Sequence, residues 1–303
     1  MGTWFRSFVT ALGLLVCILI ATIAFVAPNL DRRVAASPAV EAERLIVESA
    51  PSLLVLRNLD GSVRIDSYDG EKVRASVAIR IYTRERGLDA LAAEYAASLV
   101  SVSHDEQRLE IVTEPKERPD TLEVFADYAI QVPHGMSVDL VSENGNVRIG
   151  DDCGSVEIEG RNADIAVLSP RGQVTIRTTN GRISVLNAQE ETHLETINGN
   201  IYAYMKGGSL RAGTTNGALV AHLQDPQVTD CDLTTRNGGI TVVLAKSCSA
   251  QLEARTARGT VKSDYFVNTA QGIERRRHLR GSIGQGGTQL TMDTLNGNIW
   301  IKE

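Results

Sequence analysis

A glycine grid with a nine-residue step is the feature that most constrains this chain. Gly145, Gly154, Gly172, Gly181, Gly199, Gly208 and Gly217 fall on it, and Ala163 and Glu190 fill the two remaining points. Apolar pairs stand two and four places after the points: Val147/Ile149, Val156/Ile158, Ile165/Val167, Val174/Ile176, Ile183/Val185, Ile201/Ala203, Leu210/Ala212 and Leu219/Ala221. Thr192/Leu194, after Glu190, is the weak member. A slower period overlies the first. Asn144, Asn162, Asn180, Asn198 and Asn216, spaced by 18, precede alternate points.

Apolar residues spaced by two, flanked by polar ones, describe a half-buried strand. Asn-Gly supplies the positive φ of a sharp corner. Nine residues then make one strand and one corner, and 18 make a flattened coil with one strand in each of two sheets. Stacked coils pair each strand in parallel with its equivalent, at about 4.8 Å per coil. An antiparallel meander with Asn-Gly hairpins is the rival arrangement. It gives no reason for corner chemistry to stay in phase over so many units. The expected fold is all-β: a parallel β-solenoid with about 18 residues per two-strand coil, an N-terminal transmembrane helix and one capping helix. Thr178, Thr196, Thr214, Thr235, Thr256 and Thr294, with Ser142 as first member, stand three places before a corner glycine. A small β-branched residue there fits inside the corner and bonds the next coil. A ligand-facing Thr array is the other reading.

Three parts follow from this: an anchor and linker at 1–40, an N-terminal coil with cap and strands at 41–135, and the repeats at 136–303. Phe8 to Ala27 is an uncharged run of 20 residues, long enough to span a bilayer as an uncleaved anchor through residues 8–27. Cleavage after Val34-Ala35-Ala36 is the alternative. Charges flank both sides, so orientation is not decided by them. Cys17 reads as an apolar residue of the run. Gly61 with Val63/Ile65 speaks the solenoid language, and Gly70 with Val73/Ala75 continues it one step out of phase, as an N-terminal coil. Leu88, Leu91, Ala92, Tyr95 and Leu99 predict an amphipathic helix over Gly87 to Val100 that caps the open end. Strands are expected at Leu109–Val112 and Leu122–Val132, with Glu114–Pro119 as the loop between them.

A strand ending Val132-Pro133-His134-Gly135 leads into Asn144-Gly145-Asn146-Val147-Arg148-Ile149. Gly284-Gln285-Gly286-Gly287-Thr288-Gln289-Leu290 and Thr294-Leu295-Asn296-Gly297-Asn298-Ile299 close the chain. These motifs resemble the DUF4097 family, bacterial adhesin-like β-strand-repeat (β-solenoid) proteins of the envelope, over roughly residues 45–303. The resemblance implies an extracytoplasmic location, with some members encoded beside envelope-stress regulators. It identifies no active site. After Leu223 the corners at Asn237-Gly238 and Arg258-Gly259 each lie 21 residues on, and Phe266 to Gly287 is the most irregular segment. About nine coils are expected between Gly145 and Gly297.

A net charge of −6 argues against a general nucleic-acid binder. Arg275, Arg276, Arg277 and Arg280 form the one strongly basic run. They are candidate partner-binding residues for an anionic lipid, a cell-wall polymer or an envelope protein, or else a solvated loop. Cys231 and Cys248, 17 apart, are close to one coil apart and would approach each other, whereas Cys153 has no such partner. His104, His134, His193, His222 and His278 lack metal-ligand spacing. No nucleophile elbow, phosphate loop or calcium nonapeptide is present, so no cofactor, metal or catalytic residue is assigned. Asp151-Asp152, Glu190-Glu191 and Asp225 lie near corners, at different corners and coils in this register. Tyr202, Tyr204 and Trp300 point outward and are candidates for stacking a sugar or partner. The expected function is a non-enzymatic interaction scaffold, a membrane-tethered rod on the extracytoplasmic side of the cytoplasmic membrane. The alternative is a carbohydrate-active β-helix enzyme, which needs carboxylates converging in a groove.

Overall fold

The computed structural model describes residues 38–83, 89–113, 122–223 and 227–303. In chain order the first strands are β1 (Val40–Ser49), β2 (Leu53–Asp60), β3 (Val63–Tyr68) and β4 (Lys72–Thr83). After the helix α1 (Asp89–Ser98) come β5 (Val100–His104), β6 (Arg108–Thr113), β7 (Leu122–Pro133), β8 (Ser137–Asn144) and β9 (Val147–Ile149). The regular repeats are β10 (Val156–Asn162), β11 (Ile165–Leu168), β12 (Val174–Asn180), β13 (Ile183–Ala188), β14 (Thr192–Asn198), β15 (Ile201–Met205), β16 (Gly208–Asn216), β17 (Leu219–Leu223), β18 (Val228–Asn237) and β19 (Ile240–Leu244). The chain ends with β20 (Ala250–Thr256), β21 (Val261–Ser263), β22 (Asn268–Arg275), β23 (His278–Ile283), β24 (Thr288–Asn296) and β25 (Ile299–Lys302).

These strands form a 12-stranded sheet, here sheet A, and a 13-stranded sheet B, with a core of Val, Ile, Leu and Ala between them. Successive coils are parallel and in register at the expected offset of 18: Val156 pairs Val174, which pairs Thr192, which pairs Leu210. The solenoid reading therefore holds and the meander does not. Setting aside β1 and β4 in sheet A, and β5, β22 and β23 in sheet B, leaves ten two-strand coils.

The corner glycines are needed less for φ than for stacking. Gly61, Gly145 and Gly181 have positive φ, but Gly199, Gly217, Gly238 and Gly297 do not. A Cβ on Gly199 would sit 1.8 Å from the Gly181 carbonyl oxygen, so a side chain is excluded by the next coil's backbone. Beside this contact, Thr214 donates to the Gly199 carbonyl at 3.0 Å, Thr235 to Gly217 at 3.0 Å and Thr294 to Gly238 at 2.9 Å. The buried threonines thus tie each coil to its neighbour. One coil inverts the pair: Gly160 stands in the Thr place and Ala163 in the Gly place. A Cβ on Gly160 would lie 3.2 Å from the Ala163 methyl, so the two exchanges compensate. On either side of that coil the buried hydroxyls of Ser142 and Thr178 have no hydrogen-bond partner. Outside the corner the amides form a ladder: Asn296 donates to Asn237, then Asn216, Asn198, Asn180, Asn162 and Asn144, and Asn144 ends on Asp60 at 2.6 Å.

Both ends depart from the chain order the repeat suggests. The C-terminal coil β24/β25 inserts between β18/β19 and β20/β21. At the other end β2/β3 lies between β8/β9 and β6/β7. Gly145 to Gly297 therefore spans eight coils rather than about nine, because the irregular segment is spent on the antiparallel hairpin β22–β23 and not on a coil. The expected coil at Val73/Ala75 is instead β4, antiparallel to β7 and β1. β5, absent from the sequence reading, closes sheet B in antiparallel fashion. Helix α1 covers this end, against β1, β4 and β5, and buries Ala92, Tyr95 and Ala96, with Leu99 buried just after it. Leu91, expected on the buried face, is exposed. The expected membrane span at residues 8–27 and the loop at 114–119 lie outside the described residues. Among those described, no helix is long and apolar enough to cross a membrane.

Candidate functional site

The two outer faces of the solenoid have the same backbone and opposite chemistry. Outward side chains alternate with core residues along each strand. On sheet A one outward row runs Ala166, Ser184, Tyr202, Val220, Thr241, Trp300 from β11 to β25. The second runs Leu168, Leu186, Tyr204, His222, Val243, Lys302. No carboxylate stands in either row. The same coils present Glu157, Glu159, Glu195, Asp232 and Asp293 from the outward rows of sheet B.

Several charges of sheet B are paired, mostly across coils. Arg57 holds Asp139 through two bonds of 2.7 and 2.9 Å, and this bond keeps the guanidinium above its usual pKa. Arg177 reaches Glu195 at 3.3 Å, His193 the same carboxylate at 2.9 Å, and Arg211 reaches Asp232 at 3.7 Å. Sheet A carries the ion pairs Arg64–Asp66 and Arg80–Asp127 on β3, β4 and β7, but from β11 to β25 its outward contacts are of rings. Tyr204 stacks on His222, with centroids 6.0 Å apart and planes at 20°. The Arg182 guanidinium lies 6.0 Å from the Tyr202 ring and the Lys302 ammonium 3.9 Å from the Trp300 ring. Tyr202, Leu186 and Trp300 are 37%, 39% and 42% exposed, so each side chain is partly covered by its neighbours.

The basic run lies on a hairpin rather than in an open loop. Arg275 ends β22, Arg276 and Arg277 form the turn, and Arg280 lies in β23. The turn is pinned to the last corner, where Thr256 donates to the Arg277 carbonyl and Val261 to the Arg276 carbonyl, each at 2.9 Å. The structure brings Arg275, Arg276 and Arg277 together at the tip. Arg280 stands apart, opposite Glu253 in the register, on the wall of a polar depression of about 420 Å³ shared with Gln251, Ser282 and Gln289. All four arginines are exposed and make no ion pair among the described residues. Glu253 is already engaged by Arg255 and by His278 at 3.5 Å.

Asp151-Asp152 and Glu190-Glu191 lie on the same edge of the solenoid, opposite the Asn-Gly corners, but two coils apart. Asp225 is outside the described residues. Asp152 accepts from Arg171 at 3.1 Å, which lowers its carboxyl pKa, and His134 lies between Asp69 and Asp152 at 3.1 and 3.5 Å. Among the described residues no three His, Cys, Asp or Glu side chains are placed to hold a metal ion. The pairing considered for Cys231 and Cys248 is not made. Coil β24/β25 is interposed between β18, which carries Cys231, and β20, which Cys248 precedes, and both are free thiols, as is Cys153. Burial pushes the Cys153 thiol up to about 12 and raises that of Cys231.

Sequence reasoning singled out Tyr202, Tyr204 and Trp300 but missed the carboxylate-free face they belong to. The signal was available at the third and fifth places after each Asn-Gly corner point, read down the 18-residue period.

No curated protein matches the chain. Solved structures of similar architecture share little sequence. A candidate adhesin from Bacteroides fragilis is 13% identical with a TM-score of 0.49, over 86% of this chain and 97% of that one. A candidate lipid-binding protein from Parabacteroides distasonis is 11% identical with a TM-score of 0.43, over 87% and 97%. A candidate adhesin from the same species is 12% identical with a TM-score of 0.42, over 86% and 97%. The family model described as Toastrack DUF4097 matches residues 48–302, and the chain accordingly belongs to that family.

Proposed function

We propose that this chain is a membrane-anchored, extracytoplasmic rod that acts as a non-enzymatic, adhesin-like or envelope-stress-associated interaction scaffold. The observation that carries the reading is the pair of carboxylate-free outward rows that sheet A presents from β11 to β25 in a chain of net charge −6. Outward positions do not determine the fold, so a consistent bias there points to a surface that is used. The apolar run of residues 8–27 supports a single-pass tether in the bacterial cytoplasmic membrane. The first described strand, β1, is the outermost strand of sheet A at one end, and the basic hairpin β22–β23 closes the other. Ten coils at about 4.8 Å each set the two ends roughly 45 Å apart. A tether at the first end therefore holds the hairpin away from the membrane. There Arg275, Arg276, Arg277 and Arg280 are the second candidate contact, for an envelope protein or a cell-wall polymer.

The non-enzymatic reading is supported by the carboxylates of sheet B, several of which are engaged in cross-coil ion pairs rather than converging on a cleft. The test is capture from envelope extract and on isolated wall polymers by the full chain in mild detergent, beside a chain with all four arginines changed to Ser. A specific partner supports the scaffold, and its loss in the variant assigns it to the hairpin. Absence of any partner, together with glycan cleavage in a degradation screen, would overturn the reading in favour of an enzyme.

A further inference from the structure

We propose that the outer face of sheet A is a platform for an anionic polysaccharide lying across the coils over Tyr202, Tyr204 and His222. The inference rests on the scaffold reading and names the class of partner. Three features carry it. First, aromatic rings stand next to one another in the exposed rows. Tyr204 and His222 are stacked at 20°, and Tyr202 is only 37% exposed. Partly exposed rings with polar tips can pack against the C–H groups of a pyranose and offer little to insert into a bilayer. Second, the surface repeats. Neighbouring coils present a ring or an apolar side chain at about 4.8 Å intervals, with Ser184, Thr241 and the tyrosine hydroxyls as hydrogen-bonding groups among them. Such a ladder meets a polymer better than a single small molecule.

Third, the charge is one-sided. Arg148 and Lys262 stand at the two ends of the first row, Lys302 closes the second, Arg182 lies at the corner beside Tyr202, and no carboxylate stands within either row from β11 to β25. The carboxylates at the border are engaged: Asp164 accepts from the Arg182 backbone N–H at 2.7 Å, Asp66 pairs Arg64, Asp264 accepts from the Trp300 indole at 3.1 Å and Glu303 pairs Lys246 at 3.2 Å. An anionic chain complements this frame. A second copy does not, because either orientation of the face upon itself sets cations against cations.

The experiment measures binding of the full chain in detergent to polygalacturonate, to uncharged dextran and to anionic phospholipid vesicles. Polygalacturonate is expected to bind, more weakly as salt is raised, and dextran at least about tenfold more weakly. Tyr202→Thr with Tyr204→Thr keeps strand-forming residues and should weaken polygalacturonate binding by about tenfold or more. Arg182→Ser with Lys302→Ser tests the frame independently and should weaken it several-fold, while Glu157→Gln with Glu159→Gln on the opposite face should leave it unchanged. Unchanged unfolding midpoints certify that each variant is folded. Failure to bind polygalacturonate, equal binding by the tyrosine variant, preference for vesicles, or self-association lost in that variant would each overturn the platform. If polymer binding persists and is lost only with Arg275, Arg276, Arg277 and Arg280 changed to Ser, the platform fails while the scaffold stands. If no envelope component is captured at all, both fail.

Discussion

Sheet A and sheet B are built from the same coils, with the same corners and strand spacing, yet their outer surfaces differ over the coils from β10/β11 to β24/β25. Sheet B carries Arg57–Asp139, Arg177–Glu195 and Arg211–Asp232, pairs that lie at or near the surface. Sheet A carries Leu168, Leu186, Tyr202, Tyr204, Val220 and Val243. Exposed ion pairs contribute about 0–1 kcal/mol each, so the stability of the stack does not require the charges of sheet B. What they do is keep a flat sheet surface polar and solvated. The comparison separates two kinds of information. Inward positions and corners specify the solenoid for both faces alike, whereas outward positions are free to record what each face meets.

The comparison is broken most completely by destroying what the faces share. Gly217→Ala places a Cβ 1.9 Å from the Gly199 carbonyl oxygen and should cost about 3 kcal/mol, read as a lowered denaturation midpoint. A loss under about 1 kcal/mol would show that the corners stack less closely than described. Next come the buried threonines. Thr214→Val removes the donor to Gly199 and should cost about 1–2 kcal/mol, whereas Thr178→Val removes a hydroxyl with no partner and should be neutral or stabilising. Equal effects of the two would sink the corner account. Asn198→Ala interrupts the exposed ladder between Asn180 and Asn216, and about 1 kcal/mol is expected from the same equilibrium measurement. Smallest is Arg177→Ala on sheet B, where both partners of the pair are about half exposed; less than about 0.5 kcal/mol should be lost, and high salt should erase the difference.

Much of this architecture was legible in the sequence because the period is strict. The Asn spacing of 18 is the register observed from Asn144 to Asn216, and Thr196, Thr214, Thr235, Thr256 and Thr294 bond neighbouring coils as expected, whereas Ser142 and Thr178 do not. What was not legible is which coils are neighbours. Thr256, Thr294 and their glycines carry the same corner signature, so nothing local says that Asn296-Gly297 stacks directly on Asn237-Gly238. That is also why a spacing of 17 between Cys231 and Cys248 misled: it measures one coil along the chain but two in the stack. β4 was misread because Val73, Ala75 and Val77 alternate as any half-buried strand does, and alternation is silent about direction. The four arginines were found as a run of charge, but their division between a hairpin tip and a strand depends on antiparallel pairing that composition does not encode.

The most direct test of the two-faced account is hydroxyl-radical footprinting of the full chain with and without bound polygalacturonate. The account predicts protection of Tyr202, Tyr204 and His222, with unchanged labelling of His193 on sheet B. Protection of His193 with the tyrosines still reactive would contradict it and move the working surface to the charged face.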